Sequence, residues 1–271
     1  MEKSFTYNNQ YYDEGIDGFH RASIPYIHGY FDALTRDTRP EAILDFGCGN
    51  GFHSAYLKSK TENVDGVDFS AAIRTSRNKD NYRTIRQADL GLPADLPENA
   101  YDLLFSIEVV EHVKDYRMFL QNAHHTLKPG GKLFLTTTTF SCYFFILLVI
   151  YRRKINLRNL YDFFRGWLGS ETHRTRFTLN LWEFTTGHYH GFSKRQLRNG
   201  CLEAGFKVHK LVYLPIQDVV PVYYLKQRYN GRFGWLVNLF TPVLIFLGKA
   251  INRFSATTRI YTPNVLIIAE K

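Results

Sequence analysis

Short apolar runs and stretches of helical period alternate along the first half of the chain. Residues 42–46, 64–68, 84–88, 102–106 and 132–137 read as strands, and 52–60, 70–78, 108–126 and 193–204 as helices. Strands separated by helical stretches predict a parallel sheet wrapped by helices. Two further runs, 206–212 and 264–269, read as closing strands. Upstream, residues 21–34 predict a helix beginning near Pro25, with Tyr26, Ile27, Tyr30, Phe31 and Leu34 at helical spacing. It is expected to pack on the sheet or to cover a pocket. Residues 1–15 show no period.

Two segments break the alternation, about 139–187 and 213–262. The first opens with an uncharged run from Thr139 to Tyr151, followed by Arg152, Arg153 and Lys154. A bilayer-spanning helix needs about twenty apolar residues, so this run should not cross a membrane. The run Phe233–Lys249 is also apolar but is interrupted by Asn238 and Pro242. The charge follows these segments. Of a net +9, residues 139–187 carry seven Lys/Arg against three acids, and 222–260 carry six against none. The rest of the chain is near neutral. Apolar segments edged by cations predict contact with an anionic membrane surface or a greasy substrate. Packing on each other or in a dimer interface is the alternative.

At 271 residues and 45% hydrophobic, the chain suits one domain with insertions. Cys48, Cys142 and Cys201 are scattered and form no CxxC pair, which points to a reducing compartment. The first residues show no apolar signal region. The expected location is cytoplasmic, with contact at the cytoplasmic face of a membrane.

Candidate chemistry centres on Asp45-Phe46-Gly47-Cys48-Gly49-Asn50-Gly51. An apolar strand ends in an acid, and three alternating glycines lead into a helical stretch. Glycine serves where the backbone takes positive φ or approaches a ligand. The spacing departs from the dinucleotide fingerprint and leaves little room for a pyrophosphate. Asp68 ends the next strand, where a carboxylate can accept hydrogen bonds from both ribose hydroxyls. Asp89 and Ile107 fall at the ends of the third and fourth strands. Ligands of such sheets bind at this edge.

Four blocks, in order, carry a family resemblance: the Asp45–Gly51 turn, Asp68, Ala88-Asp89-Leu90, and Asp102–Ser106 running into Glu108–Val113. Leu127-Lys128-Pro129-Gly130-Gly131 adds a fifth. Over roughly residues 40–137 the chain resembles the class I S-adenosylmethionine (SAM) dependent methyltransferases. The resemblance implies an α/β, Rossmann-like, seven-stranded sheet with helices on both faces. It implies one domain over 1–271 carrying the two inserts, with SAM as cofactor. SAM would be held by Asp45, Gly47, Gly49, Gly51, Asp68, Phe69, Asp89, Leu90 and Ile107. Asp89 would hydrogen-bond the adenine, and Leu90 and Phe69 would pack on its ring. Asp102 reads as structural.

Glu108, Glu111 and His112 stand at i, i+3 and i+4 of the predicted 108–126 helix and would share a face. Two carboxylates and an imidazole make a plausible oxygen-rich site for a divalent metal that lowers the pKa of a bound hydroxyl. Alternatively His112 or His188 acts as a base, or the group only packs. The Glu-x-x-Glu-His pattern, with an insert after the fifth strand, is similar to the ubiquinone-biosynthesis O-methyltransferases. That similarity implies O-methylation of a lipid-like or membrane-associated acceptor, magnesium at Glu108, Glu111 and His112, and membrane contact through the insert. The pattern also looks like that of small-RNA 2′-O-methyltransferases, so an RNA methyltransferase is the second reading. A non-catalytic SAM-binding subunit is the third. Long aliphatic runs favour lipid over nucleic acid, whose sites use exposed aromatics among cations.

Overall fold

The computed structural model describes residues 19–138, 189–214 and 264–271. Its elements run α1 (Phe19–Thr38), β1 (Ala42–Phe46), α2 (Ser54–Lys58), β2 (Asn63–Asp68), α3 (Ala72–Thr75) and β3 (Thr84–Gln87). They continue with β4 (Tyr101–Ile107), α4 (Tyr116–Thr126), β5 (Leu127–Thr138), α5 (Lys194–Glu203), β6 (Lys207–Leu214) and β7 (Asn264–Glu270).

The seven strands form one sheet in the order β3-β2-β1-β4-β5-β7-β6. The first five are parallel, and β7 runs antiparallel to both β5 and β6. The apolar runs are continuous rather than alternating because the central strands are covered on both faces. On one face, Ile27 and Phe31 of α1 are buried with Ile43, Leu57 and Leu103. Phe31 stands edge-on to Phe105 and Phe134, with ring centroids 4.8 and 5.0 Å away. On the other face, Phe119 and Leu120 of α4 and Leu197 of α5 pack with Phe46, Leu104 and Leu135. The helical period therefore marks the faces that leave water, the dominant favourable contribution to folding.

The polar ends are tied explicitly. Asp102 accepts the amides of Glu41 and Ala42 at 3.0 and 2.9 Å and pairs with Lys128, which aligns the starts of β1 and β4. Its structural role is as expected. Asp65, buried inside β2, is satisfied by Arg83, the Thr84 amide and the Tyr101 hydroxyl.

Two helix expectations need correction. The leading helix does not begin at Pro25 but runs through it from Phe19. Burial of Ile27 and Phe31 beyond the proline outweighs the lost backbone bond. The helix expected from residue 108 begins at Tyr116. Asp115 caps it by accepting the amides of Arg117 and Met118. The preceding Val109, Val110 and Val113 are poor helix formers. Residues 110–112 make only a 3-10 turn, and Glu108 has φ +55°. Glu108, Glu111 and His112 thus do not share a helical face.

Among the described residues no helix is long and apolar enough to cross a membrane. The apolar segments 139–151 and 233–249 lie outside the described residues, as do nearly all of both inserts.

Candidate active site at the carboxyl edge of the sheet

Gly47, Gly49 and Gly51 have φ of +95°, +54° and +76°, all in the left-handed region. A Cβ on Gly47 would lie 2.5 Å from both Val109 methyls. The turn hangs on the end of β2: the amides of Gly47 and Cys48 donate to the Val67 carbonyl at 2.8 and 3.0 Å. Gly49 N–H donates to Asp68 Oδ2 at 2.9 Å, and Ser70 N–H to Oδ1 at 2.7 Å. Burial raises the Asp68 pKa, and these two donors oppose the rise.

Asp45 is buried at the end of β1, and the Tyr82 hydroxyl donates to its Oδ2 at 2.5 Å. Burial pushes the Asp45 carboxyl up to about 7; the Tyr82 bond opposes this and the Asp68 charge adds to it. The Tyr82 ring also backs Gly51 and Gly66, where a Cβ would come within 3.1 and 3.2 Å of it. Sequence reasoning missed Tyr82, because nothing in local spacing links it to a residue 37 positions away.

Phe69 follows Asp68 and is 54% exposed at this edge. Asp89 is exposed beyond β3, and its Oδ1 accepts the Gly91 amide at 2.9 Å in a local turn. Leu90 is buried in the core, so its side chain is already occupied by packing. Ile107 is half-buried at the end of β4. The edge combines a glycine turn, two acids at strand ends and a partly exposed aromatic. Such a surface suits a cationic nucleoside with an amino-acid tail.

Beside it lies a carboxyl pair. Glu108 donates its amide to the Thr136 carbonyl at 3.1 Å and accepts the Thr136 hydroxyl at 2.9 Å. Glu111 is fully buried and accepts the Thr137 hydroxyl at 2.8 Å. Burial raises both pKa values, and the Glu108 charge drives Glu111 higher still. The Glu111 carbonyl accepts the amides of Tyr189 and His190, so the chain returning from the first insert is pinned to this turn.

His112 is half-buried on the 3-10 turn. His188 lies outside the described residues. His190 is structural: buried, with Nε2 3.0 Å from the Lys114 carbonyl and its ring against Tyr116 and Phe192. Among the described residues no three His, Cys, Asp or Glu side chains form a group able to hold a metal ion. Glu108, Glu111 and His112 do not fit magnesium as a ready triad.

Comparison with known proteins places this geometry. The chain superposes on an S-adenosylmethionine dependent methyltransferase from Mesorhizobium loti with TM-score 0.55 at 18% identity, covering 92% of this chain and 98% of that one. It superposes on geranyl diphosphate C-methyltransferase from Streptomyces coelicolor A3(2) with TM-score 0.58 at 17% identity, covering 97% and 84%. The fold is that of the Rossmann-like, SAM-dependent methyltransferases. A profile described as a methyltransferase domain matches residues 20–211, and the chain belongs to that family, using SAM as its methyl donor.

Among curated proteins, the mitochondrial ubiquinone biosynthesis O-methyltransferase of Rattus norvegicus is 33% identical over 121 residues, 42% of this chain and 35% of that protein. The ubiquinone biosynthesis O-methyltransferase of Nitrosospira multiformis is 28% identical over 208 residues, 73% and 76% of the two chains. The matches to the first such relatives span only 35–49% of their lengths.

Proposed function

We propose that the chain is one methyltransferase domain, with inserts at about 139–187 and 213–262, that methylates a hydroxyl of a lipid-like small-molecule acceptor. The carboxyl pair Glu108–Glu111 beside the glycine turn carries this reading, because an alcohol or phenol must be oriented and lose a proton to become a nucleophile. The names of the two curated relatives above, both ubiquinone biosynthesis O-methyltransferases, support it.

SAM would lie on Asp45, Gly47, Gly49, Gly51, Asp68, Phe69, Asp89 and Ile107, with Leu90 supporting the adenine side from the core. SAM already carries an activated methyl group, so the protein chiefly positions donor and acceptor. Glu108 and Glu111 orient the acceptor hydroxyl. His112, or His188 from the returning chain, takes its proton as the S–CH3 bond breaks and the O–CH3 bond forms. The cation-edged apolar inserts would draw the domain to the cytoplasmic face of an anionic membrane, where such acceptors reside.

Incubating the full chain with methyl-labelled SAM and a host lysate tests this. Base-stable label in the lipid fraction is expected. Label confined to RNA would replace the reading with an RNA methyltransferase whose basic inserts grip phosphates.

A further inference from the structure

The stretch 89–96 that follows β3 has no regular structure, and it carries Asp89. The Leu90 side chain anchors it in the core. Its backbone is held by one side chain. Asn122 of α4 donates from Nδ2 to the Leu90 carbonyl at 3.0 Å and to the Leu92 carbonyl at 2.8 Å, and its Oδ1 accepts the Ala94 amide at 3.4 Å. The bonds made by the Gly91, Leu92 and Leu96 amides stay within the stretch. Among the described residues, the hydrogen bonds that tie 89–96 to the rest of the fold therefore all go to Asn122.

Asn is a mediocre helix former, and a buried amide is costly unless its groups are matched. Asn122 is 7% exposed in the middle of α4. An amide suits this place because it offers two donors to two carbonyls and one acceptor to an N–H. The two carbonyls it clamps flank Gly91, and the Gly91 amide in turn holds Asp89 Oδ1 at 2.9 Å. Gly91 itself is wedged in place: a Cβ there would stand 2.6 Å from Val113 Cγ1. We infer that Asn122 is a positioning residue for the base of the cofactor. It acts through Gly91, fixing the Asp89 carboxylate so that Oδ2 is left to accept the adenine amino group. This rests on the reading of Asp89 as the adenine contact.

The test uses the full chain and calorimetry with two probes, S-adenosylhomocysteine and S-inosylhomocysteine. The second carries a carbonyl in place of the adenine amino group, setting an acceptor against the Asp89 carboxylate. Wild type should favour the first by at least about tenfold, the worth of about one hydrogen bond. Asn122→Leu, close in size, removes the clamp, and the preference should fall to within about twofold. Asn122→Ser, smaller and still polar, should lower the preference in the same direction and covers the case in which the leucine variant does not fold. An equal loss for both probes, or an unchanged preference, would leave Asn122 with a role in packing alone and overturn the inference. Asp89→Ala separates the two readings. If it abolishes the preference while the Asn122 variants keep it, only the Asn122 role falls. If it too keeps the preference, or wild type shows none, the Asp89 reading falls and the Asn122 role with it.

Discussion

The Tyr82 hydroxyl lies 2.5 Å from Asp45 Oδ2 and is the group that steadies the acid at the head of the glycine turn. Both residues are buried, and Tyr82 also backs Gly51 and Gly66. One aromatic ring therefore couples the turn, the acid and β2. Tyr82→Phe keeps the packing and removes the bond. It should weaken SAM binding roughly tenfold by calorimetry, the scale of a hydrogen bond to a charged group.

Asp45 also predicts a pH dependence. Burial raises its carboxyl to about 7, so near neutrality it is partly protonated. A cationic cofactor favours the ionised form, hence SAM affinity should rise between about pH 6 and 8, and this rise should vanish in Asp45→Asn. The sign for stability is the reverse. The folded apo-protein holds this proton more tightly than an unfolded carboxyl, so the contribution is present below about pH 4 and is lost as pH rises through about 7. Thermal unfolding of wild type against Asp45→Asn at pH 5 and 8 checks it.

Asp68 accepts two backbone amides, from Gly49 and Ser70. Asp68→Ala leaves both donors unmatched and removes the proposed ribose acceptor. SAM affinity should fall by roughly 2–4 kcal/mol. Unchanged affinity by calorimetry would remove Asp68 from the cofactor site.

Gly47→Ala should cost about 2–4 kcal/mol of stability, from the positive φ and the Val109 clash together. Adding Val109→Ala relieves only the clash. Denaturant unfolding of the two single variants and the double variant separates the two contributions.

The leading helix carries its own latch. The His28 ring stacks on Tyr56 at 3.4 Å, and the Tyr56 hydroxyl donates to Asp32 at 2.7 Å. Lys60 pairs with the same Asp32 carboxylate at 2.7 Å. Burial lowers the His28 pKa, against the pull of Asp32. A depressed imidazole contributes stability above its ordinary value near 6.5, and that contribution is lost as the pH falls. The protection of α1 amides, measured relative to their intrinsic exchange rate at each pH, should therefore fall below about pH 6, and less so in His28→Gln.

Much of this fold is written in local pattern. The runs at 42–46, 64–68 and 102–106 lie within strands of the sheet, which is covered on both faces and admits buried acids such as Asp45 and Asp65 only where tertiary partners satisfy them. The glycine turn and Asp68 were legible because positive φ and a strand-end carboxylate each demand a residue type. Helix boundaries were not. The Asp115 cap, rather than the apolar period, decides where α4 begins, and Pro25 is carried inside α1 by packing further along the helix. Tyr82 was invisible as a site residue. It reaches Asp45 only through tertiary folding, across 37 positions of sequence.

The measurement that tests the central proposal most directly compares wild type with Glu111→Gln, using methyl-labelled SAM and a lipid extract as acceptor. Labelled product is identified by mass spectrometry and SAM binding is measured in parallel. The proposal predicts an O-methyl ether from wild type, turnover at least about a hundredfold lower in the variant, and SAM affinity within about twofold. Equal turnover, or label on nitrogen or carbon alone, would contradict it.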